Sequence, residues 1–84
     1  MYWYTSSGSI RTPWSNSLPE TRKKAMKHQD SLPYYSDVLI YDSELARTPV
    51  GKIYKIGETH YWATPSGVYV LKANGKRAIK RAMR

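Results

Sequence analysis

Residues 37–72 read DVLIYDSELARTPVGKIYKIGETHYWATPSGVYVLK, and they decide the fold class. Val38-Leu39-Ile40-Tyr41 is a continuous β-prone run, the pattern of a strand covered on both sides. Lys52–Ile56, Thr59–Ala63 and Val68–Lys72 follow, each enriched in β-branched and aromatic side chains. Gly57-Glu58 and Thr64-Pro65-Ser66-Gly67 separate these runs and are turn material. Thr48-Pro49-Val50-Gly51 resembles the second of those turns and also precedes a strand, which reads as a meander with similar turns rather than a repeat protein. Asp42 to Arg47 suits a short helical turn between the first two strands.

Upstream, Ser17-Leu18-Pro19-Glu20 has the form of a capping box, in which Ser17 accepts from the amide of Glu20. Pro19 falls in the first turn, where its missing amide costs nothing. The pattern predicts a helix from about Leu18 to Gln29, stopping before Pro33. Leu18, Ala25 and Leu32, with Met26, make a narrow apolar stripe, and Arg22, Lys23, Lys24 and Lys27 are expected on the remaining surface. Residues 1–16 mix Tyr2, Trp3, Tyr4 and Trp14 with Gly8 and small polar residues, an arm read as an edge strand followed by a turn.

Downstream, Ala73-Asn74-Gly75 leads into a basic segment, 73–84. Ala78, Ile79, Ala82 and Met83 recur at helical spacing there, and the period-two alternation of a strand is missing. Such a helix is too short to be stable alone, and Lys76 and Arg77 oppose its dipole. Its order must come from docking of Ile79 and Met83 on the sheet, or from phosphates. The expected fold is therefore α+β in one domain, 1–84. A small antiparallel sheet of three or four strands carries one N-terminal helix and a short basic C-terminal helix.

Charge is uneven along the chain. Fourteen Lys and Arg face six Asp and Glu, a formal +8. Residues 18–29 are net +3 and residues 73–84 net +5, whereas 30–50, with Asp30, Asp37, Asp42 and Glu44 against Arg47, are net −3. Asymmetry of this kind speaks about partners. With no cysteine, neither a disulfide framework nor a thiolate metal site supplements the core. The longest useful apolar run, Val38–Tyr41, is far below the roughly 20 residues that span a bilayer. The opening residues lack a secretory leader. These features suggest a cytoplasmic protein with no membrane partner.

The functional expectation is a non-catalytic nucleic-acid-binding accessory protein, for DNA or RNA. Lys76, Arg77, Lys80, Arg81 and Arg84 are the expected phosphate contacts, supported by Arg22, Lys23, Lys24 and Lys27. Tyr54, Tyr61 and Tyr69 lie in the predicted sheet, where open aromatic faces stack bases, and Trp62 is expected in the core. The blander alternatives are a solvated basic tail, an ordinary exposed helix and rings spent on packing. The rival function is a small inhibitor or regulator, for example phage-encoded, that covers an acidic surface of a protein target. A subunit of a nucleoprotein particle shares the same charge logic. Catalysis has thin support. His28 and His60 have no paired-ligand spacing for zinc, and the glycines are isolated turn residues, so no metal and no cofactor are expected.

Overall fold

The computed structural model describes residues 2–6, 15–43 and 45–81, without the side chains of 79–81. Its elements are β1 (Trp3–Ser6), α1 (Leu18–Ser31), β2 (Val38–Tyr41), β3 (Gly51–Ile56), β4 (Thr59–Thr64), β5 (Gly67–Leu71) and β6 (Arg77–Arg81). The six strands form one sheet in chain order, antiparallel at every pairing.

This corrects the expectation of three or four strands with two helices. The four central strands are present, but β1 and β6 widen the sheet to six, and the segment expected as a C-terminal helix is β6. The physical reason lies in the β5–β6 pairing. Leu71 opposes Arg77 while Tyr69 opposes Arg81, so two steps along β5 match four along β6 across an irregular register. A bulge of this kind breaks strict alternation, the signal a strand reading looks for. The helix alternative was short and opposed by its own charges, whereas β5 offers backbone partners on either side of the bulge, at Leu71 and at Tyr69.

α1 begins where the capping box places it. The Glu20 amide donates to Ser17 Oγ at 3.3 Å, and the Thr21 hydroxyl donates to the Ser17 carbonyl at 2.8 Å. The helix runs two residues past Gln29 and ends at Ser31, with the extended Leu32 and then Pro33 beyond it. It buries Thr21, Arg22, Ala25, Met26 and Gln29, a stripe at helical period.

Alternation along the strands assigns two faces. Val38, Ile40, Ile53, Trp62 and Leu71 point to the face that α1 covers and form the core with Ala25 and Met26. A Cβ on Gly51 would lie 2.6 Å from the Trp62 ring, so a side chain there would displace the indole from its seat against β3. Gln29 Nε2 donates to the carbonyls of Ser36 and Ile53 at 2.8 and 3.1 Å, which ties the end of α1 to β3.

On the other face Leu39, Tyr54, Tyr61, Ala63, Val68 and Val70 are half-buried. Among the described residues α1 covers one face of β2, and on the other Leu39 and Tyr41 are only half-buried. Trp3 stacks on Tyr41 at 4.1 Å, and its indole N–H donates to the Ser43 carbonyl at 2.8 Å. The short helical turn expected over 42–47 falls partly on Glu44, outside the described residues; among the described ones the Ala46 amide donates to the Ser43 carbonyl at 3.2 Å and none is helical.

Candidate nucleic-acid interface

The two basic segments, distant in sequence, meet in the fold. Between β5 and β6 the chain turns through Gly75, whose φ of +85° favours glycine. The Gly75 amide donates to the Lys72 carbonyl at 2.9 Å, and the Lys76 amide to Asn74 Oδ1 at 3.0 Å. Gly75 is buried because it lies against the Pro19 carbonyl and the Lys23 backbone of α1. Arg22 Nε donates to the Gly75 carbonyl at 2.7 Å across 53 positions of sequence. The β5–β6 turn is thus fastened to the first half of α1.

Arg22 is itself the fastener and not part of the exposed surface. It is buried, with its guanidinium 5.2 Å from the centre of the Trp62 ring. Burial, and then the charge of Arg77, push its pKa down. Lys23, Lys24 and Lys27 are exposed on α1, and Lys76 and Arg77 are exposed at the start of β6. Lys23 and Lys76 flank the joint, so the surface is continuous from helix to hairpin. The backbones of Lys80 and Arg81 lie in β6, and Arg84 is outside the described residues.

The tyrosines expected to stack bases divide between faces. Tyr54 and Tyr61 are cross-strand partners on the open face and stack on each other with centroids 5.2 Å apart. Tyr69 pairs with Trp62 in register and so faces the α1 side, where the Arg77 guanidinium lies 4.5 Å over its ring. That is a cation–π arrangement within the basic surface.

One cluster escaped the sequence reading. His60 Nε2 and Lys55 Nζ both donate to Asp30 Oδ1, at 2.9 and 3.0 Å. Partial burial pushes the Asp30 carboxyl up, but the hydrogen bonds and charges of Lys55 and His60 outweigh it and hold the group below the ordinary carboxylate value. The hairpin turn at Gly57-Glu58 already implied that Lys55 and His60 are cross-strand neighbours. Only the packing of α1 brings Asp30 to them. Asp37 likewise pairs with Lys52 at 3.4 Å and accepts from the Tyr35 hydroxyl at 2.6 Å. These two acids of the 30–44 stretch therefore meet strand cations, not the basic helix.

Beside this cluster a cavity of about 460 Å³ opens between α1 and the β3–β4 and β5–β6 turns. Met26 and Leu71 form apolar lining, and Lys23, Lys27, Glu58 and His60 supply the polar groups. Among the described residues no group of three or more His, Asp or Glu is placed to hold a metal ion, and no helix is long and apolar enough to cross a membrane. No protein family, curated protein or solved structure matches the chain.

Proposed function

We propose that the chain is a non-catalytic nucleic-acid-binding protein that contacts phosphates through the surface shared by α1 and the β5–β6 hairpin. The observation that carries this reading is the Arg22–Gly75 joint, which brings Lys23 of α1 against the turn that leads into Lys76 and Arg77. Lysine and arginine gathered on one surface bind a polyanion by releasing its condensed counterions. Backbone contact of this kind positions a strand without reading its bases, so the proposal carries no sequence specificity.

The test is fluorescence anisotropy with labelled single-stranded DNA, duplex DNA and RNA at low and near-physiological salt. Binding should be micromolar or tighter and fall steeply with salt. Lys76→Glu with Arg77→Glu, and separately Lys80→Glu with Arg81→Glu, should weaken it and flatten the salt dependence. Unchanged affinity in still-folded variants overturns the proposal.

A second reading, a regulator that covers an acidic protein surface, is favoured by the open face. Tyr54 and Tyr61 stack there and the exposed Lys52 lies on the same side. A stoichiometric complex that survives nuclease treatment would select it.

A further inference from the structure

The cavity beside Asp30 and His60 has the make-up of a small-molecule site. Its volume of about 460 Å³ falls in the range of ligand pockets, which combine an apolar lining with a few placed polar groups. Met26 and Leu71 are both core residues that reach the lining, and Val70 and Ala73 complete its apolar part. Lys23 and Lys27 stand one helical turn apart on α1, and neither meets a carboxylate among the described residues. Their ammonium groups are available to an anion.

His60 is held by a different logic. The ionised Asp30 can only accept, so the His60 Nε2 carries the hydrogen of their 2.9 Å contact. Lys55 donates to the same carboxylate oxygen. The Asp30 charge is therefore already answered within the fold, and Glu58 is the one lining carboxylate left without such a partner among the described residues. An apolar wall, two free ammonium groups, a fixed imidazole and one carboxylate match a ligand with a flat apolar body, a phosphate and hydroxyl or amino donors.

Lys23 belongs to this rim and also to the Gly75 joint. Ala73, on the turn that leads into Lys76 and Arg77, also lines the cavity. We propose that the cavity seats one unpaired nucleotide, with its phosphate on Lys23 and Lys27 and its base against Met26 and Leu71. This rests on the nucleic-acid reading and adds a substrate class, because a base stacked inside a duplex cannot enter. Single strands and duplexes with unpaired ends are then favoured over blunt duplexes. The free nucleotide and the strand end share this chemistry and are separated by the probes.

Two measurements test the proposal. In the first, adenosine and uridine 5′-monophosphate, with inorganic phosphate as control, are titrated into isotope-labelled protein and followed by NMR. Backbone amides of Met26, Lys27, His60 and Leu71 should shift together with the nucleotides, and phosphate alone should move only Lys23 and Lys27. In the second, a blunt duplex and the same duplex with an unpaired overhang are compared by anisotropy. The overhang should bind about tenfold tighter, the scale of one seated base.

Ala73→Trp, which fills the mouth and leaves every charge, should abolish that preference and keep blunt-duplex affinity. Ala73→Leu, a smaller filling that also leaves every charge, provides a second variant if Ala73→Trp does not fold. Equal affinity for both duplexes, with no nucleotide-induced shifts, overturns the cavity while leaving phosphate contact at the basic surface intact. Nucleotide-induced shifts at the cavity without binding of any polymer would instead overturn the nucleic-acid reading, and the cavity would stand as a mononucleotide site.

Discussion

Arg22 stands at i relative to Ala25, Met26 and Gln29 at i+3, i+4 and i+7, and that periodicity places its side chain on the covered face of α1. Its charge suggested the surface; its spacing was the better guide. Arg22→Met keeps the aliphatic packing but leaves the Gly75 carbonyl without its donor, and a hydrogen bond from a charged group contributes roughly 1.5–3 kcal/mol. Urea denaturation should register a loss of that order. Arg22→Lys should not restore it, because an ammonium cannot reproduce a guanidinium that bonds edge-on while lying over Trp62. Asp30 sets a pH dependence of known sign. Its folded pKa is depressed, so its stabilising contribution is present above the ordinary carboxylate pKa and is lost as pH falls through the folded value. Asp30→Asn should be less stable than the parent near neutral pH, and the gap should close on acidification. Because the Asp30 side chain is 46% exposed, the gap should stay under about 1 kcal/mol. A gap that widens toward acid would contradict this assignment.

Elements differ in how openly the sequence announces them. α1 was legible because capping is local: Ser17, Pro19 and Glu20 lie within one turn and need no tertiary partner. β2 to β5 were legible because their turns carry the residues that turns require. β6 was not, since its strand character depends on a bulged register against β5 that no window of its own residues contains. In the aromatic arm β1 lies at the sheet edge, while the turn expected after it, with Gly8 and Trp14, lies outside the described residues; the pairing of β1 with β2 rather than another strand is a fact of the whole sheet. For the candidate site, the charges were visible and their meeting point was not. That meeting depends on Gly75, where φ is +85° and a Cβ would collide with the Pro19 carbonyl. Gly75→Ala incurs both the left-handed penalty of about 1–2 kcal/mol and the cost of separating hairpin from helix. Thermal melts should show clear destabilisation. Amide exchange should accelerate at Lys72 and Lys76 before it does at Ile53.

At the scale of the molecule, β6 is a sheet edge among the described residues, and an unpaired edge is a template for another chain. Arg77 is exposed on this strand, whose sequence RAIKR carries three cations and no acid, so a second copy pairing edge to edge would bring like charges together. The same charges that suit a polyanion therefore also oppose self-assembly. Lys80→Val with Arg81→Val should raise self-association, read as concentration-dependent sedimentation, and high salt should produce a weaker version of the same effect in the parent chain. An unchanged monomer fraction in both cases would assign the edge another form of protection. The order of the strands has a kinetic side as well. Four of the five pairings join strands adjacent in sequence without an intervening element, whereas β1 reaches β2 only across the whole of α1, from Ser6 to Val38. Short hairpins close early and long loops late. The β2–β6 meander should therefore gain amide protection before β1 does in pulse-labelled refolding, and protection of Trp3–Ser6 ahead of the central hairpins would contradict this order.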